Sequence, residues 1–169
     1  TATYTVIGRD ANNCTDTAQV QVTVNPRPIV ELPGTIGACT GETVTIEPRV
    51  SGGTGAYTYT WGGGFKGTSV QIQVQYNLEL RLLVTDQKSC EARDTAFIVV
   101  NAAPQASITG PDSICIGNQA VLARVISVGR PPYRYTWQDG QSTEQITVSP
   151  RETSTYSLIV EDGNGCRDT

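Results

Sequence analysis

The spacing of five cysteines constrains this chain more than any other feature. They stand at Cys14, Cys39, Cys90, Cys115 and Cys166, so the gaps alternate between 25 and 51 residues and define a period of 76. A strict period of that length marks an internal repeat. It divides the 169 residues into two periods with 17 left over, and it predicts that both ends fall inside a repeat of something longer. A unit of 76 residues is small for a self-sufficient core, which makes a covalent staple per unit physically sensible.

Offsetting the chain on itself by 76 residues aligns far more than cysteine. Pro28 meets Pro104, Gly34 meets Gly110 and Gly41 meets Gly117. Tyr57, Tyr59, Thr60 and Trp61 meet Tyr133, Tyr135, Thr136 and Trp137. Leu82, Val84 and Asp86 meet Leu158, Val160 and Asp162, and Tyr4, Val6, Asp10 and Cys14 fall on Leu80, Leu82, Asp86 and Cys90. Chance does not produce that many matches at one offset. The boundaries are proline-bearing strand exits, Asn25-Pro26-Arg27-Pro28 and Asn101-Ala102-Ala103-Pro104. They predict the end of one repeat at 1–26, a complete repeat at 27–102, and a repeat lacking its last strand at 103–169.

The fold class follows from periodicity. Gln71-Ile72-Gln73-Val74-Gln75-Tyr76 alternates polar and apolar residues, and so does the run around Val20, Val22 and Val24, as half-buried strands do. Further strands are predicted near 43–50, 56–61, 79–86 and 94–100. Asp162-Gly163-Asn164-Gly165 supplies residues that tolerate positive φ, so Cys166 should open the return strand of a hairpin. Threonine (23 residues) and glycine (17) are plentiful and no helix of useful length is legible. The expectation is all-β: tandem immunoglobulin-like β-sandwich repeats of roughly seven short strands each.

Composition removes several function classes. Without histidine there is no Ser-His-Asp or Cys-His set and no His-containing zinc site. Twelve basic against sixteen acidic residues, with no basic run, argue against nucleic acid as a partner. No apolar stretch approaches the ~18 residues that span a bilayer. Regularly spaced cysteines without a CxxC pair point to disulfides in an oxidising compartment. Gly62-Gly63-Gly64 with Lys66 lacks the strand-helix setting of a phosphate loop, and no two acids are placed as an acid/base pair. No catalytic residue and no cofactor is expected.

The run from Val50 through Gly52-Gly53-Thr54-Gly55-Ala56-Tyr57-Thr58-Tyr59-Thr60-Trp61 resembles the central motif of the SprB-type repeat. That repeat occurs in gliding-motility adhesins and other giant surface proteins of Bacteroidota. Tyr156 to Cys166 looks like the same family's closing motif, Tyr4 to Cys14 repeats it, and Cys39-Thr40-Gly41 and Cys115-Ile116-Gly117 fit its first cysteine. PKD-like and other bacterial Ig-like modules share parts of the pattern. One departure is Val128-Gly129-Arg130-Pro131-Pro132 in place of the glycine-rich run. The resemblance implies a repeat protein exported by the type IX system to the cell surface or beyond, outer-membrane-associated. Its implied work is adhesion or gliding motility, with neighbouring repeats, surface polysaccharide or other cell-surface proteins as partners.

Two cysteine pairings fit the spacing. One lies within repeats, Cys39–Cys90 and Cys115–Cys166, with Cys14 paired outside the segment. The other crosses boundaries, Cys14–Cys39 and Cys90–Cys115. The family pattern favours the first, which would stabilise each repeat by ~2–4 kcal/mol. Against it, a standard Ig topology puts the approach to the second strand and the final hairpin at opposite ends, too far apart for a Cα separation of ~5.5 Å.

Other features have two readings each. Trp61 with Tyr57 and Tyr59, and Trp137 with Tyr133 and Tyr135, are read as core aromatics; the other reading is a sugar-stacking platform. Asp162, Asn164 and Asp168, echoed by Asp10, Asn12 and Asp16, suggest either a hydrogen-bonded turn or calcium; the turn is favoured, because Lys88 replaces the asparagine in the middle repeat. Thr17, Thr95 and Ser113 follow an aspartate and precede an apolar residue, resembling the short O-glycosylation acceptor motif of Bacteroidota. Asn13-Cys14-Thr15 is a formal N-sequon, discounted because its middle residue is expected in a disulfide. The function expected is a stalk or filament of an adhesin. The alternatives are an accessory carbohydrate- or protein-binding module of a large secreted enzyme, and a structural extracellular fibre.

Overall fold

Alternating runs become strands along the whole chain, described here by a computed structural model of residues 1–169. In chain order these are β1 (Ala2–Arg9), β2 (Thr15–Val22), β3 (Pro28–Glu31), β4 (Thr35–Cys39), β5 (Thr43–Ile46), β6 (Arg49–Gly52), β7 (Thr58–Trp61), β8 (Val70–Gln73), β9 (Leu78–Thr85) and β10 (Glu91–Asn101). There follow β11 (Gln105–Thr109), β12 (Ala120–Ser127), β13 (Arg134–Trp137), β14 (Gln145–Val148), β15 (Leu158–Glu161) and β16 (Arg167–Asp168). The helical content is one short turn, Gly62–Gly64. The chain divides into two compact units, one of 1–32, 47–69 and 81–95, the other of 33–46, 70–80 and 96–169.

In the first unit β1 and β2 form an antiparallel hairpin, Ala2 opposite Val22 through to Arg9 opposite Thr15. Every residue of both strands is exposed. β3 pairs with β6, and β7 pairs with the end of β9, so Trp61 lies opposite Leu82 and Tyr59 opposite Val84. Val30, Trp61, Leu82 and Val84 are its buried apolar residues.

In the second unit β4 runs parallel to the end of β10, with Ile36 opposite Ile98 and Cys39 opposite Asn101. β5 pairs with β8. Its larger part is a sandwich of two three-stranded sheets, β11-β12-β14 and β13-β15-β16. Leu122 and Ile146 from one sheet meet Trp137, Leu158 and Val160 from the other in a single core. Period-two alternation produces this directly: in β15 Leu158 and Val160 are buried while Ile159 between them is exposed.

One strand expected near 43–50 is two, β5 and β6, and the reason is Pro48. Proline has no N–H for the ladder, so pairing lapses there. At the matching position in the third repeat stands Arg124, and β12 runs unbroken, pairing with β14 through Ala120–Ala123 and with β11 through Ala123–Ser127.

The departure at Val128 keeps the backbone of the glycine it replaces. Gly52 has φ 67° and Val128 has φ 64°. A β-branched residue in the left-handed region is strained by roughly 1–3 kcal/mol, of which glycine's greater unfolded entropy returns part. Val128→Gly is therefore expected to stabilise the third repeat by about 1 kcal/mol, read as a higher urea midpoint at unchanged slope.

Candidate functional site at the closing hairpins

The same turn is built three times. At Asp10–Cys14, Asp86–Cys90 and Asp162–Cys166 one carboxylate oxygen, Oδ1, accepts the backbone N–H two residues on and that of the cysteine, all at 2.8–2.9 Å. The aspartate N–H donates to the cysteine carbonyl at 2.9–3.0 Å, closing the loop. The fourth residue needs positive φ, and Asn13 (71°), Ser89 (61°) and Gly165 (83°) supply it. In the last two turns the other oxygen, Oδ2, accepts a further N–H at 2.9 Å, from Thr54 on Asp86 and from Arg130 on Asp162. Glycine-rich and Arg-Pro-Pro loops thus make the same bond, because only a backbone N–H is required.

Asp86 and Asp162 are buried. Burial pushes both carboxyls up, but the N–H groups of Cys90, Thr54 and Lys88 with the Lys88 ammonium outweigh it at Asp86, and its pKa lies below the ordinary value. At Asp162 burial is likewise outweighed by the N–H groups of Arg130, Cys166 and Asn164 and by the Arg130 guanidinium. A lowered folded-state pKa gives stabilisation that is complete above the unfolded value of about 3.9 and is lost as pH falls through the folded one. Urea midpoints are expected to be flat near neutrality and to fall below about pH 4. Asp162→Asn should lower the midpoint at pH 7 and flatten this acid limb.

These bonds also dispose of calcium at the turns. The carboxylate oxygens of Asp162 are occupied by N–H donors, and no group of three His, Cys, Asp or Glu side chains is placed to hold a metal. Asp168 is turned elsewhere, its Oδ2 accepting the Ala106 N–H at 2.7 Å.

The disulfide corrects the expected pairing. Cys39 is bonded to Cys166 with a Cα separation of 5.6 Å, while Cys14, Cys90 and Cys115 are free. Neither Cys39–Cys90 nor Cys115–Cys166 forms, and neither does either cross-boundary pair. Strand direction is the reason. Cys90 precedes the first residue of β10 and Cys39 lies in register with its last, an eleven-residue strand spanning ~36 Å. Cys115 precedes β12, whereas Arg130, bonded to the Asp162 of the closing hairpin, follows that strand's far end. Each within-repeat pair thus sits at opposite ends of a strand, while Cys166 lies at the end of β10 itself, its Sγ 3.9 Å from the Asn101 carbonyl. The signal was present in the spacing: 127 residues separate the bonded pair, one long gap plus one period.

The tryptophans are enclosed, Trp61 at 3% and Trp137 at 1% exposure. Each indole N–H donates at 2.9 Å to a carbonyl six residues on, Gly67 and Thr143 respectively. The Tyr57 hydroxyl donates to the Gly52 carbonyl, and that of Tyr133 to Val128 at 3.1 Å. The Arg124 guanidinium lies 4.7 Å from the centroid of the half-buried Tyr135 ring. No open stacking row is left for a sugar.

Thr17 and Ser113 are exposed and Thr95 is half-buried. The aspartates before the threonines have structural work of their own. Asp16 and Asp94 each accept the following threonine N–H at 2.8 Å, and Asp94 also accepts the Leu32 N–H at 2.7 Å. Ser113 lines a cleft of about 360 Å³ with Pro111, Leu122, Val148 and Tyr156.

No family model matches the chain, and no curated protein matches it. Among solved structures it is similar to the N-terminal eight Ig domains of Down Syndrome Cell Adhesion Molecule (DSCAM) isoform 1.30.30, at 15% identity and a TM-score of 0.55, over 94% of this chain and 29% of that one. The N-terminal four Ig domains of Dscam1 isoform 6.9 align at 11% identity and a TM-score of 0.40, over 90% of this chain and 48% of that one. This chain spans less than a third of the length of the first. At such identity the likeness concerns fold, and with the sheets above it establishes an all-β, immunoglobulin-like chain.

Proposed function

We propose that this chain is a non-catalytic run of immunoglobulin-like repeats, divided at 1–26, 27–102 and 103–169, serving as the stalk or filament of a secreted or cell-surface adhesin. The carrying observation is the Cys39–Cys166 bond, which ties the opening of one repeat to the closing hairpin of the next. Such a bond spans a repeat boundary, where a pulled array would otherwise give way.

Two further features support the reading. Ala2, Tyr4 and Val6 lie opposite Val22, Val20 and Ala18, giving the β1–β2 hairpin one apolar face, and it is exposed. The matching Leu80 and Leu82 of the middle repeat are buried, as expected if 1–26 closes a preceding repeat. A disulfide suits an oxidising, extracellular setting. No helix is long and apolar enough to cross a membrane. Type IX export, outer-membrane association and gliding motility are what the family resemblance adds, with neighbouring repeats and surface polysaccharide or proteins as partners.

Force applied between the two ends tests the mechanical role. The bond withholds 127 residues, so unfolding the oxidised chain should release only the residues outside the loop, roughly 140 Å. Reduction should add about 440 Å at ~3.5 Å per residue. Full release without reductant would refute the reading. For an accessory binding module, polysaccharide should shift tryptophan emission; the enclosed indoles predict no shift.

A further inference from the structure

Cys14, Cys90 and Cys115 carry thiols to which the stalk reading gives no task. In the bonded pair, a first-type cysteine joins a closing cysteine 127 residues downstream. By that rule, the closing cysteines Cys14 and Cys90 take partners 127 residues upstream, and the first-type Cys115 takes one 127 residues downstream. None of those positions falls within residues 1–169, so one rule accounts for one bond and three free thiols together.

We infer that Cys14, Cys90 and Cys115 are latch positions, each forming a disulfide with the complementary cysteine of a repeat beyond its immediate joint, so that every joint of the array is covalently closed. This rests on the array reading. The observation that lifts these thiols above lone cysteines is that their equivalents are bonded in the same molecule, and that both halves of the latch keep one shape. On the closing side, the aspartate Oδ1 holds the cysteine N–H at 2.8 Å in Cys14 and Cys90 and at 2.9 Å in the bonded Cys166. On the opening side, Glu42 and Asn118 donate their N–H groups to the carbonyls of Cys39 and Cys115, both at 3.0 Å. Gly41 and Gly117 turn those loops with φ 85° and 86°, a conformation that favours glycine. The thiols are therefore presented before bonding. Cys14 and Cys115 are exposed, whereas the bonded Cys166 is 1% exposed, so closure would cover them.

The partner is a tandem repeat rather than a second molecule, because the covalent linker raises the effective concentration of the neighbouring thiol. Closure removes two protons and two electrons from two thiols. The acceptor is a disulfide, that of a thiol–disulfide oxidoreductase or of oxidised glutathione, which leaves as two thiols.

The test appends a copy of residues 94–169 after Thr169, which continues the repeat in phase, and oxidises the folded chain with a glutathione buffer. Peptide mapping without reductant should find Cys39–Cys166 retained and Cys115 joined to the copy of Cys166. The appended copy adds two cysteines, yet the free-thiol count should stay at three. Serine in place of the copied Cys166 should return Cys115 to the labelled pool. An appended repeat that folds, shown by a further buried tryptophan, with Cys115 still free or joined to Cys166 or to another molecule, overturns the latch and leaves the array standing. An appended repeat that does not fold overturns both.

Discussion

Replacing Cys166 with serine should lower the unfolding free energy by about 4–5 kcal/mol, the largest effect of any single disulfide-directed change in this chain. The bond closes a loop of 127 residues, and the chain-entropy cost that such a loop removes from the unfolded state grows with the logarithm of its length. Cys39→Ser should cost about the same, and the double variant no more than either single one, because each removes the whole crosslink. Reductant applied to the unmodified chain should give the same loss. Cys90→Ser and Cys115→Ser, at unbonded positions, should stay within about 0.5 kcal/mol. The contrast between the two sets is sharp. Guanidinium midpoints that fell with Cys90→Ser or Cys115→Ser, and not with Cys39→Ser, would mean that the chain staples itself within each repeat.

That pairing marks the boundary of what the sequence could reveal. The period, the strands and the enclosure of Trp61 and Trp137 are local matters of spacing and alternation, and they are legible. The partner of Cys39 is not local. It depends on β4 running parallel to β10, which carries Cys39 to Asn101 and away from Cys90. Sequence spacing registers distance along the chain and says nothing of strand direction. The split of β5 from β6 could have been read from Pro48. The aspartate before Thr95 was harder: read as part of a modification motif, it is also a bridge to the Leu32 N–H, a partner 62 residues away. The two uses share one residue, and only the fold separates them.

Trp137→Ala should cost about 3–5 kcal/mol, a loss confined to the sandwich of the third repeat. That core is small. Leu122, Ile146, Leu158 and Val160 are its other fully enclosed apolar members, so removing the indole leaves a void their neighbours can close only in part. The change also strips the Thr143 carbonyl of its 2.9 Å donor. Trp137→Phe separates the two contributions, since it restores much of the volume but not the N–H, and should cost about 1–3 kcal/mol. Trp61 remains in both variants as a fluorescent reporter of the other compact unit, whose own midpoint should move little. A tryptophan kept for binding would behave in the opposite way: its truncation would leave stability within about 0.5 kcal/mol and abolish a ligand response. Chemical denaturation followed at Trp61 and by circular dichroism distinguishes these outcomes. An unchanged circular-dichroism midpoint in Trp137→Ala would remove the indole from the core of this fold and return it to the surface as a recognition residue.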